Sequence, residues 1–166
     1  MARRSEEEIL ESIVRMGAIL SVYRAWMHEE YGSPLDPKEP MPREQWLAEL
    51  KKAGIRISKV ERGYVEAIND TAQDLQEAMQ YSPAEAESFL SFYRNEKGRE
   101  FWDDVGKPDK AAKAIVRRGS IRDTTEWRLL NSILSNVDQT VFKGTALTRA
   151  EALLAEFEAT YESDGD

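Results

Sequence analysis

Apolar positions fall at helical spacing in one stretch after another along this chain. Between Ser5 and Glu30, Ile9, Ile13, Met16, Leu20 and Met27 recur at steps of three, four and seven, with Leu10, Val14 and Gly17 beside them. Ser5 and Glu8 have the spacing of a capping box, in which the hydroxyl and the carboxylate each satisfy an orphan backbone N–H. From Met16 to Met27 nine of twelve residues are apolar or aromatic, and only Arg24 is charged. A helix that is apolar all round is enclosed on several sides. The pattern predicts a central helix with a polar face in its first half and a wrapped second half. Ile19, Val22, Tyr23 and Trp26 lie around the same cylinder. Any patch of them left uncovered would favour a homodimer.

The remaining chain gives six further helices. Arg43 to Ala53 carries Trp46, Leu47 and Leu50 on one side, and Gly54 stands where a left-handed cap is wanted. Ser58 with Glu61 reads as a second capping box, opening a helix to about Gln80 with Tyr64, Ile68, Leu75 and Met79 inward. Gly63 near its start suggests the close approach of another helix. Ser82-Pro83-Ala84-Glu85 is a start signal, with Phe89, Leu90 and Tyr93 following and Gly98 ending the helix. Phe101, Trp102 and Val105 make a short apolar turn. A fifth helix spans about Asp109 to Arg118, with Ala112, Ile115 and Val116 inward. A sixth starts at Asp123, with a seam through Trp127, Leu130, Leu134, Val137 and Val141, widened by Ile133. Thr148 with Glu151 reads as a last capping box, with Ala150, Leu154, Phe157 and Tyr161 inward. No segment sustains period-two alternation. The expectation is an all-α protein: one irregular bundle of about seven helices, residues 1–166, around a buried N-terminal helix. Gly32 to Pro42 holds four prolines and reads as a stiff loop. Residues 162–166 read as a frayed tail.

Composition narrows the class. The 166 residues suit one domain or two small ones, long enough to bury a core without staples. There is no cysteine, which removes disulfides and thiolate chemistry and fits a reducing compartment. Net charge is −8, from 31 acidic and 23 basic side chains, which disfavours nonspecific attraction to nucleic acid or anionic lipid. Four acids follow the basic start before any apolar run, unlike a secretory signal. The apolar run is too short to span a bilayer, which needs about 20 residues. The protein reads as cytoplasmic.

Candidate chemistry is sparse. His28, the only histidine, sits with Glu29 and Glu30. Adjacent helical residues point in different directions, so the bland reading is a helix-end imidazole favoured by the negative dipole end. No metal or cofactor site is expected. Glu96, Glu100 and Asp103 would share a face near Trp102 if the helix ran through Gly98. A carboxylate against an aromatic can be tuned as a general acid, so residues 96–104 are the best place for an enzyme reading. The bland reading is a solvated face with ion pairs such as Arg99–Asp103. No phosphate loop, nucleophile elbow or zinc pattern is present.

The most distinct feature is electrostatic. Lys107, Lys110, Lys113, Arg117, Arg118, Arg122 and Arg128 stand against Asp109, Asp123 and Glu126 in one stretch. Lys110, Lys113 and Arg117 share a helical face. The turn around residues 118–123 joins two helices in the layout of a helix-turn-helix, but it is longer than the usual three or four residues. Three readings follow. The stretch 107–128 binds DNA or RNA; it faces the acids of residues 144–166; or it docks an acidic protein. Taken with the missing catalytic signatures, the sequence favours non-catalytic protein–protein binding, as an adaptor, a regulator, or an inhibitor of the immunity or antitoxin type.

Overall fold

The computed structural model describes residues 4–34 and 43–163; for 161–163 only the backbone is described. Helices take up 81% of the described residues, and no strand occurs among them, so the protein is all-α. In chain order the helices are α1 (Glu6–Tyr31), α2 (Arg43–Lys52), α3 (Ile57–Tyr81), α4 (Pro83–Lys97), the short α5 (Phe101–Val105), α6 (Pro108–Arg118), α7 (Thr124–Ser135) and α8 (Thr145–Ser163). Seven of these have ten residues or more, among the described residues. Most of the Pro-rich loop, residues 35–42, and the last three residues of the tail lie outside the described residues. No described helix is long and apolar enough to cross a membrane.

The chain gathers into two compact units, Met1–Asp104 and Val105–Asp166. In the first, α1 packs against α3 and α4. Its capping box forms as the sequence requires. The Glu8 N–H donates to Ser5 Oγ at 3.2 Å, and the Ser5 N–H donates to Glu8 Oε2 at 2.6 Å. Those two bonds hold the Glu8 carboxyl below the ordinary range. Leu10, Ile13, Met16, Ile19, Leu20, Val22 and Trp26 are buried. Ala18, Ser21 and Arg24 stay exposed, so the second half of α1 keeps one solvent strip. Val14 is exposed on the first half. Ile19, Val22 and Trp26 are covered within the chain, and Tyr23 is half-buried.

Phe89, Tyr93 and Phe101 are fully buried. Their rings pack edge to face at centroid distances near the optimum for aromatic pairs: Phe89–Phe101 and Tyr93–Phe101 both at 5.2 Å. The second unit has a core of its own, from Ala112, Ile115 and Val116 on α6, Leu129 and Leu130 on α7, Phe142, and Ala150 and Leu153 on α8.

Several local expectations are corrected. The box at Ser58 does not form, because α3 starts two residues earlier, with Arg56 as its cap. The Glu61 carboxylate is engaged instead by Arg4, at 2.8 Å. Met79 is exposed, while Thr71 and Ala72 are buried. Nothing lies within 4 Å of the position a side chain at Gly63 would take, so no helix approaches there. The box at Thr148 also fails. Gly144, with φ +55°, lets α8 begin at Thr145, so Thr148 is already helical.

The seam on α7 is the largest difference. The helix stops at Ser135, and Val137 is 97% exposed. The Asp138 N–H donates to Asn136 Oδ1 at 2.9 Å, a local turn that competes with further helix. Gln139 then holds Phe142 at both ends. The Phe142 N–H donates to Gln139 Oε1, and Gln139 Nε2 donates to the Phe142 carbonyl, each at 3.0 Å. That clamp turns Phe142 into the core, where it is 3% exposed.

Candidate functional site

Amphipathicity positions the basic residues of α6. Ala112, Ile115 and Val116 face the core, so Lys110, Lys113 and Arg117 are left on the exposed side. Gly119 ends the helix in the left-handed region, at φ +78°. The guanidinium of Arg149, from α8, lies over this glycine, with Nη2 2.6 Å from where a β-carbon would stand. A cation beside the carbonyl end of a helix is favoured by the helix dipole.

Between α6, the 141–142 segment and the start of α8 runs a groove of about 680 Å³. Val116, Val141, Phe142 and Ala146 give it apolar walls, and Lys113, Arg117 and Arg149 give it cations. Among the described residues, none of these three cations takes part in an ion pair. The residues of α8 that line the groove with Lys113 and Arg117 are Thr145, Ala146 and another cation, Arg149. The acids of residues 144–166, read as facing the basic stretch, make no ion pair to Lys113 or Arg117 among the described residues. The acids lie further along: Glu158, for example, accepts a hydrogen bond from Trp127 Nε1 at 3.1 Å.

The other basic residues do different work. Lys107 is the exposed N-cap of α6 and makes no side-chain cap bond. Arg118 is spent on the turn. It donates to the Ser120 carbonyl at 2.7 Å and forms a short ion pair with Glu126. The same Glu126 carboxylate accepts from the Arg122 backbone N–H at 2.8 Å, and the Glu126 N–H donates to the Asp123 cap at 2.9 Å. Arg122 and Arg128 are exposed, and Arg128 has an interaction partner of its own. The seven cations read from the sequence thus divide. Lys113 and Arg117 join a groove, Arg118 locks the turn, and the others are dispersed over the surface. Arg149, Val141 and Phe142 were missed, because they lie outside the basic stretch and are brought in by α8 and the Gln139 clamp. The one sequence signal was a lone base in a segment otherwise acidic.

The carboxylates of residues 96–104 do not form the expected face. Gly98, at φ +70°, ends α4 and separates Glu96 from Glu100 and Asp103. Glu100 pairs with Arg94 through two contacts, at 2.6 and 3.2 Å, and that guanidinium holds its carboxyl below the ordinary range. Arg99 pairs with Asp104 at 3.0 Å, in place of Asp103. Tyr93 Oη donates to Asp104 at 2.5 Å, and burial together with this carboxylate pushes the phenol upward. These contacts tie α4 to the following turn and α5, and give Glu100 and Asp104 structural partners. His28 closes the end of α1, with Nδ1 2.7 Å from the Ser33 carbonyl.

Compared with known protein families, curated proteins and solved structures, the chain matches none.

Proposed function

We propose that this protein acts by binding another protein, and that the groove beside α6 docks an acidic segment of that partner. One observation carries the reading. Three exposed cations, without ion pairs among the described residues, border a groove whose walls are apolar. An apolar wall with a charged rim is the anatomy of a protein-binding groove, where buried apolar contact supplies affinity and the rim supplies orientation. The charge distribution agrees. Residues 105–149 carry nine basic and four acidic side chains, while residues 150–166 carry six acids and no base. An adaptor or regulator of an acidic partner fits this better than an inhibitor that covers a basic one.

Nucleic-acid binding through 107–128 is the second reading, favoured by the helix–turn–helix order of α6 and α7. Against it, Arg118 is engaged within the turn, and α7 offers Arg128 as its only cation. The test is a titration of the full chain with two probes. One is an acidic peptide bearing leucine and phenylalanine anchors, and the other is a DNA duplex. We expect the peptide to bind, more weakly when its anchors are replaced by serine, and Lys113→Glu/Arg117→Glu to abolish binding. Duplex binding that falls steeply with salt, with no peptide binding, would overturn the proposal.

A further inference from the structure

Resting on the reading of the groove beside α6 as a docking site, we infer that the group it receives is a phosphorylated side chain of the partner, flanked there by apolar residues. Lys113 and Arg117 line the groove from α6 and Arg149 lines it from α8, and no acid is among the lining residues. All three cations are exposed, and among the described residues none takes part in an ion pair. Like charges gathered around one groove repel, and a carboxylate, with a single charge, offsets only one of them. A phosphoryl group carries about −1.5 to −2 at neutral pH and offers three acceptor oxygens.

Arg149 is placed by the end of α6. Its Nη2 lies 2.6 Å from where a β-carbon at residue 119 would stand, closer than such atoms approach. Gly119 leaves that space open, and glycine adopts its φ of +78° without strain. The guanidinium thus has a seat against the turn. A planar fork of N–H donors suits the bidentate geometry of phosphate oxygens.

The start of α8 adds donors of another kind. The Leu147 and Thr148 N–H groups donate to the Gly144 carbonyl at 3.1 and 3.2 Å. The Thr145 and Ala146 N–H groups have no hydrogen-bond partner among the described residues, and both residues line the groove. Gly144, just before them, has no side chain with which to cap them. Free N–H groups at the positive end of a 19-residue helix favour an anion. The three cations supply the main attraction, and the helix end adds to it.

The apolar walls decide where the phosphoryl group comes from. Val116, Val141, Phe142 and Ala146 line the same groove and match the apolar neighbours of a modified residue in a peptide. A nucleic acid presents a run of phosphates and calls for a run of cations. Here α7 adds only Arg128, and Arg118 is tied to Glu126. Free phosphate would use the cations and leave the apolar walls bare.

The full chain is titrated by calorimetry with three peptides of one sequence, in which leucine and phenylalanine flank a central phosphoserine, glutamate or serine. We expect the phosphoserine peptide to bind about tenfold more tightly than the glutamate peptide, the order of one added charge-assisted hydrogen bond. The serine peptide should bind most weakly. In Arg149→Gln the tenfold preference should vanish while the melting temperature stays near the parent's. Lys113→Gln, a second exposed position, should reduce the preference in the same way. Equal affinity for the phosphoserine and glutamate peptides would overturn the phosphate assignment and leave acidic docking standing. Failure of both to bind would remove the docking reading and this assignment together. A preference intact in both variants would also overturn it, by placing the phosphate elsewhere. So would inorganic phosphate displacing the phosphoserine peptide at equal concentration, or a single-stranded oligonucleotide binding more tightly than that peptide.

Discussion

Gln139 and Val137 make opposite predictions under a sequence reading and under the structure. The apolar seam of α7 puts Val137 in the core and gives Gln139 no role. In the structure Val137 is 97% exposed, and Gln139 pairs with both backbone groups of the buried Phe142. Each such hydrogen bond contributes a net of about 0.5–1.5 kcal/mol. Removing both, in Gln139→Ala, should therefore cost about 1–3 kcal/mol. If the chain melts as one, a loss near the middle of that range lowers the melting temperature by roughly 4–8 °C. Val137→Ala should stay within about 0.5 kcal/mol of the parent, as exposed substitutions do. Phe142→Ala sets the ceiling, at about 3–5 kcal/mol for a buried phenyl. Gln139→Glu keeps the acceptor for the Phe142 N–H and loses the donor to its carbonyl, so it should fall between parent and Gln139→Ala. Urea melts followed by far-UV circular dichroism measure all four. A cost above about 1 kcal/mol for Val137→Ala, with Gln139→Ala at parental stability, would refute the clamp and restore the longer helix.

Two further outcomes follow from the first unit. Leu20, buried in α1, should not tolerate charge: Leu20→Asp leaves a carboxylate without a partner in the core and should cost on the order of 3–5 kcal/mol, read as a large drop in denaturation midpoint. Asp74→Asn should stabilise the fold at neutral pH. The folded-state pKa of Asp74 is raised, so its ionised form opposes folding above that pKa, and the penalty fades as pH falls through it. The difference in melting temperature between variant and parent should be positive at pH 7 and shrink toward pH 4; a difference that grows on acidification would contradict the shift.

The sequence by itself determined the elements. Period-three-and-four apolar spacing, a working box at Ser5 and Glu8, Pro83 at a helix start, and glycines 98 and 119 at helix ends are local instructions. Each acts through hydrogen bonds and sterics within a few residues, so each can be read without knowing what lies across the core. The all-α class and the inward face of α6 follow from them. Local signals failed where two were available at once. Ser58 and Thr148 have cap spacing, yet Arg56 and Gly144 start their helices earlier, because any residue whose backbone can turn there ends the competition. Only tertiary structure decided the sites. The groove takes Lys113 and Arg117 from one helix and Arg149 from another, with Phe142 placed between them by a side-chain clamp. The aromatic core of the first unit likewise joins rings 66 positions apart, Tyr23 on α1 meeting Phe89 on α4 edge to face. Spacing along a helix fixes which face a residue occupies. It carries no information about which face of another helix will meet it, because that is set by how side-chain volumes interlock when the helices pack.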